Sequence, residues 1–279
     1  MKASYTQLLV HLDATAHAAQ RLAVARTLAQ TQGAAVTALY AVTPAMLEVP
    51  YAPEAGAGVI SALREIDDDR RNAANAAFQR VQASPGAHAA WAETNDFPIV
   101  QAFSRQALYA DLLVLGQHEA KDAAAAGVPF DFVETVLATS GKPAIVLPYE
   151  GTPQTVGENI VVAWKPTREA GRAVAAAVPL MQRARKVHIL AWGQEEGGVT
   201  GGLDLDGYLK LRGIEPTWHR EAAAEPGFLG ELLLSRAFDL EADLLVMGCY
   251  GHSRAREWVL GGTSRTILRS MTLPVLMAH

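Results

Sequence analysis

At 279 residues, half of them apolar and 19% charged, the chain has globular composition and length enough for two buried cores rather than a disordered tail. A formal charge of −5 gives no electrostatic footprint for a nucleic acid, and no Lys/Arg run exceeds two residues. The single cysteine, Cys249, excludes an internal disulfide and a cysteine-built metal site, which fits a reducing compartment.

The N-terminal apolar stretch Leu8-Leu9-Val10 is too short for a signal peptide, and no apolar run approaches the roughly 18 residues of a membrane span. These features predict a soluble, cytoplasmic protein with no membrane partner.

In chain order, Gln7 to Asp13 reads as a buried strand, and Thr15 as the cap of a helix carrying Ala18, Leu22, Ala25 and Ala29 at helical spacing up to Gly33. Ala34 to Val42 is a second strand. The Pro- and Gly-bearing stretch Pro44 to Gly58 leads into a polar helix of about 25 residues that ends before Pro85-Gly86. His88 to Glu93 is the third strand, Pro98 opens a helix to about Tyr109, and Asp111 to Gly116 is the fourth strand. Asp131 to Ser140 gives the last helix of this half, and Pro143 to Pro148 its fifth strand.

The order then repeats after a linker, Glu150 to Gly157, which divides the chain into domains at 1–150 and 151–279. Strands are expected at Asn159 to Trp164, Lys186 to Trp192, Thr217 to Glu221, Asp243 to Gly248 and Pro274 to Met277. Helices are expected at Arg168 to Ala184, Leu203 to Leu211, Phe228 to Leu240 and Thr263 to Ser270. Asp111-Leu-Leu-Val-Leu-Gly116 and Asp243-Leu-Leu-Val-Met-Gly248 are two copies of one segment.

Strands alternating with helices imply an α/β fold with parallel sheets and helices on both faces. In such sheets ligands bind beyond the carboxyl ends of the strands, where strand order reverses. The glycine loop that follows Asp243 to Gly248 falls on that edge. Glycines at 248 and 251 allow positive φ and close approach of a phosphate, and the N–H groups of Gly262, Thr263 and Ser264 open the last helix toward an anion.

In these residues the chain resembles the universal stress protein family. Gly248-x2-Gly251-x9-Gly261 matches that family's signature Gly-x2-Gly-x9-Gly-Ser/Thr, and Gly251-His-Ser-Arg254 is typical of it. The resemblance covers the chain as a tandem pair, and it is strongest in the C-terminal copy. It implies two doubly wound, five-stranded parallel sheets of the adenine nucleotide α-hydrolase-like, Rossmann-like type. It further implies an ATP-like nucleotide with Mg²⁺ at Gly248, Gly251, Gly261, Gly262, Thr263 and Ser264. Pairing through the fifth strands is implied as well, as a pseudo-dimer within the chain or a homodimer between chains.

Two residues depart from the family pattern. Gly262 replaces a Ser/Thr, keeping the N–H and losing a hydroxyl bond of ~0.5 to 1.5 kcal/mol. Lys165 stands where ATP-binding members carry an aspartate, which the N-terminal copy keeps as Asp13; Lys165 either meets phosphates as a point charge or fills the nucleoside pocket. The N-terminal copy reads Gly116-Gln-His-Glu119 without a second glycine, and it is expected to hold no nucleotide.

Other residues have bland readings. Cys249 reads as a small residue packed at a strand end, Asp13 as support for a helix N-terminus, and Trp164 and Trp192 as packing or an adenine wall. The histidines show no metal-ligand spacing, and no nucleophile elbow, Walker loop or His-Glu-x2-His pair occurs. No catalytic residue is identified, which leaves at most slow ATP hydrolysis. The expectation is a stress-response regulatory module binding one ATP-like nucleotide in its C-terminal half. The alternative is a nucleotide-free interaction and dimerisation module with a vestigial loop.

Overall fold

The computed structural model describes residues 2–49, 56–151, 153–192, 202–221, 227–249 and 262–279. Contacts divide the chain into two units, Tyr5–Lys142 and Pro143–His279, the latter together with the residues before Tyr5.

The first unit contains β1 (Gln7–Leu12), α1 (Ala18–Gln32), β2 (Ala35–Tyr40), α2 (Ala45–Glu48), α3 (Ala57–Gln82), β3 (Ala89–Glu93), α4 (Ile99–Ala107), β4 (Leu112–Gly116) and α5 (Phe132–Ser140). Its strands are all parallel, in the order β3-β2-β1-β4. Leu8, Val10, Leu112, Leu113 and Val114 are fully buried, as expected of strands covered on both faces. The four-residue helix α2 lies inside the stretch expected to be irregular. Asp67 accepts a hydrogen bond from its Ala45 N–H at 2.8 Å. Thr15 does not cap α1 with its side chain: the hydroxyl donates to Asp13, and the Thr15 carbonyl accepts from Ala18 N–H.

The second unit contains β5 (Ala144–Leu147), β6 (Asn159–Trp164), α6 (Arg168–Met181), β7 (Lys186–Trp192), α7 (Leu205–Lys210), β8 (Thr217–Glu221), α8 (Leu229–Asp239), β9 (Leu244–Gly248), α9 (Thr263–Ser270) and β10 (Val275–Ala278). The order is β5-β10-β9-β6-β7-β8. All pairs are parallel except β5 with β10, which run antiparallel with Val146 opposite Val275 and Ala144 opposite Met277. That ladder is why β5 groups with the strands that follow the linker. β10 is hydrogen-bonded on both sides, to β5 and to β9.

The duplicated aspartate has a clear purpose. Asp111 accepts from the backbone N–H groups of Thr6 (2.7 Å) and Gln7 (3.0 Å). Asp243 accepts from Gly157, Glu158 and Asn159 at 2.9–3.1 Å. A carboxylate just before β4 anchors the start of β1, and one just before β9 anchors the start of β6, with charge-assisted bonds that set the register of each pair.

Candidate functional site

β1 pairs with β2 on one side and β4 on the other, and β6 pairs with β7 and β9 likewise, so strand order reverses between β1 and β4 and between β6 and β9. The crevices open beyond Leu12 and Gly116, and beyond Trp164 and Gly248.

In the C-terminal unit, β6 ends at Trp164 and is followed by exposed Lys165, then by Thr167, whose hydroxyl oxygen accepts from Ala170 N–H to cap α6. Gly248 does not take positive φ. Its need for glycine is steric: a Cβ there would stand 2.5 Å from Ala170 N and 2.6 Å from the carbonyl carbon of Glu169. The glycine therefore lets the first turn of α6 lie directly on the end of β9. Cys249 is buried, and its N–H donates to the Ala278 carbonyl at 2.9 Å, in keeping with the bland reading. Gly262 caps α9 through its backbone alone, its carbonyl accepting from Arg265 and Thr266, and Ser264 is buried while Thr263 is half-buried. Gly251 and Gly261, the remaining loop glycines, lie outside the described residues.

One carboxylate at this crevice escaped the sequence reading. Glu169, in the first turn of α6, is 3% exposed and bonded to Arg168. That bond is the main reason its carboxyl is held below the usual range, against the opposing effect of burial. Nothing local marks it in sequence; only the closeness of α6 to Gly248 puts it there.

The N-terminal crevice is filled from within. Arg21, on the buried face of α1, lies across Gly116: a Cβ on that glycine would meet Arg21 Nη1 and stand 3.0 Å from Cδ. Arg21 Nη2 is 2.6 Å from Asp13 Oδ1, a close ion pair whose alignment falls short of a good hydrogen bond, and Nε donates to the His11 carbonyl at 3.1 Å. Asp13 also accepts from Thr15 N–H (2.9 Å) and Oγ1 (2.5 Å). Burial alone would raise the Asp13 pKa, but Arg21, His11 and the Thr15 bond together hold it down at about 2. Beside it, burial lowers the His11 imidazole to about 4, with Arg21 assisting and Asp13 opposing. Its ring packs against Phe132 at 4.4 Å between centroids, and its Nε2 meets the Ala41 carbonyl at 2.9 Å.

Between these groups remains a cavity of about 30 Å³ bordered by His11, Asp13, His17, Arg21, Glu119 and Phe132, and a wider, open recess adjoins it at His118, Glu119, Val128 and Pro129. The cavity has room for about one water, against the roughly 300 Å³ or more of a small-molecule pocket. His17 and Glu119 close one side through a 3.1 Å contact. Asp13 thus serves an internal arginine rather than the dipole of α1.

The fold and these crevices define a Rossmann-like α/β protein with a mostly parallel sheet. Residues 220–279 match the sequence model of the Universal stress protein family. Over 50 residues, 18% of this chain and 17% of the other, the sequence is 42% identical to a universal stress protein of Synechocystis sp.. The crystal structure of a universal stress protein from Archaeoglobus fulgidus superposes with a TM-score of 0.71 at 16% identity, covering 98% of this chain and 95% of that one. A putative universal stress protein from Pseudomonas aeruginosa gives 0.57 at 13% identity, with 98% and 93% covered. At such identities the structural likeness speaks for the fold. The sequence likeness to the universal stress protein family lies in the C-terminal region, and the chain matches 17% of the length of the Synechocystis protein. Among the described residues no helix is long and apolar enough to cross a membrane.

Proposed function

We propose that the chain is a regulatory module that holds one ATP-like nucleotide, with Mg²⁺, at the C-terminal crevice between β6 and β9. The observation that carries this reading is the family match over 220–279, which contains the whole Gly248-x2-Gly251-x9-Gly261 loop. It is supported by the start of two helices, α6 and α9, on the carboxyl edge of the sheet, where the positive ends of their dipoles favour an anion. Phosphates would meet the backbone of Gly251 and of Gly261 to Ser264, and Mg²⁺ would arrive with them, since it is held mainly by phosphate and water. Binding acts by favouring one conformation or assembly, in proportion to its difference in affinity for the two.

The test is thermal unfolding with and without Mg-ATP. Ligand at 100 times its Kd adds about 2.7 kcal/mol, a clear rise in Tm, and Gly251→Val removes it. No shift at millimolar Mg-ATP would sink the proposal in favour of a nucleotide-free interaction module.

A further inference from the structure

His188 lies in β7 and His219 in β8, and the register sets His219 beside Leu190, so the two rings project from the same face of the sheet. His188 Nδ1 is 3.0 Å from His219 Nε2, with ring centroids 5.1 Å apart and planes inclined at 51°. Both residues are half-buried, which leaves water a path to the contact.

An N–H···N contact needs a proton on one facing nitrogen and a lone pair on the other. Among the described residues nothing hydrogen-bonds the outer nitrogens, His188 Nε2 and His219 Nδ1, so neither tautomer is fixed from behind. With both protons on the outer nitrogens, two lone pairs converge across the 3.0 Å gap. Without a cation that arrangement is repulsive. With one, it is a pair of imidazole donors, because metal–nitrogen bonds of about 2.0–2.1 Å at a tetrahedral angle separate the nitrogens by about 3.3 Å. The change required is about 0.3 Å, a small rotation of either ring.

We propose that His188 Nδ1 and His219 Nε2 form a two-imidazole site for a late first-row divalent cation of the zinc or copper class, with water in the remaining positions. Imidazole nitrogen suits these cations and not magnesium or calcium, and affinity rises from zinc to copper. The surrounding charge is mixed: Lys186 lies on the same strand as His188, and Glu221, two residues beyond His219, is bound to Arg236 of α8. Because β8 ends the strand order, a bound cation would clamp the last strand to its neighbour.

The site can be tested on the full chain at pH 7.5 by calorimetric titration with zinc chloride and by electron paramagnetic resonance with one equivalent of Cu²⁺. The expected result is one zinc equivalent, weakened at least tenfold by His188→Ala and by His219→Ala and unchanged by His88→Ala, with copper showing coupling to two imidazole nitrogens. His219→Gln guards against misfolding, since it keeps an amide able to bond His188 while removing the ligand. A folded His219→Gln protein that binds zinc as the parent does overturns the site. So does a parent that takes up no zinc, or copper coupled to fewer than two imidazoles.

Discussion

The two switch points share a frame and differ in what fills it. Beyond β1 and β4, Arg21 lies over Gly116 and neutralises Asp13, with a cavity of about 30 Å³ beside them. Beyond β6 and β9, the first turn of α6 closes on Gly248 at Glu169 and Ala170, and Lys165 stands exposed where the other unit has its buried aspartate. One crevice thus holds an internal ion pair, while the other lies beside the glycine-loop sequence that falls within the family match. The difference rests on a few side chains and not on the sheet, whose strand pairing around both crevices is the same.

The largest expected effect comes from removing the internal occupant. Arg21→Ala leaves Asp13 charged, buried and unpaired, which costs about 3–5 kcal/mol in urea unfolding. The pair Asp13→Asn with Arg21→Met removes the uncompensated charge and recovers much of that loss. A cost near zero for Arg21→Ala would show that the ion pair is not what holds this crevice closed.

Acid titration breaks the comparison in a second way. His11 has a folded pKa of about 4 against 6.5 unfolded, so on acidification the unfolded chain binds its proton first. The resulting stability is fully present above pH 6.5 and is lost as pH falls to about 4. The 2.5-unit difference corresponds to about 3 kcal/mol. Asp13, depressed from 3.8 to about 2, adds a further loss below pH 3.8. Denaturant unfolding between pH 7 and 4 should show this slope, and His11→Asn should lack most of it. An unchanged slope in that variant assigns the acid sensitivity elsewhere.

The matched glycines give a smaller contrast. Gly248→Ala drives a methyl into the backbone of α6, which can move only with its helix, and should cost about 2–3 kcal/mol. Gly116→Ala meets the Arg21 side chain, whose guanidinium end can shift, and should cost about 1 kcal/mol. Equal costs would mean that the two helices approach their strands alike.

These contrasts also separate what the sequence announces from what it hides. The strand and helix order was legible because apolar runs, helical spacing and Gly/Pro stops are local signals, as in Gln7–Leu12 followed by Ala18, Leu22 and Ala25. The helix Ala45–Glu48 was not, because four residues carry no period. Arg21 could have been found: it stands three residues after Ala18 and four before Ala25, on the stripe that must be buried, and an arginine there calls for a partner. The positions of Glu169 and of the His188–His219 pair depend on helix approach and strand register, which no window of sequence contains. The role of Asp111 and Asp243 was visible as a repeat and became physical only with their backbone partners.

The finest test of the difference acts on Lys165. If the N-terminal aspartate is unavailable because Arg21 consumes it, then an aspartate at 165 should remain available, since Glu169 and Ala170, not an arginine, lie against Gly248. Lys165→Asp is therefore expected to tighten adenosine, which has ribose hydroxyls and no phosphate, by about tenfold, equivalent to one charged hydrogen bond of about 1.5 kcal/mol. With Mg-ATP the gain should be smaller, because the same change removes a positive charge from the phosphate end and adds a negative one. Measuring both ligands resolves the two roles open to Lys165. A gain with adenosine alone marks the lysine as an obstacle to the nucleoside. A loss with Mg-ATP and no change with adenosine marks it as a phosphate contact, and the family's aspartate would then have been replaced by a residue serving the other end of the ligand.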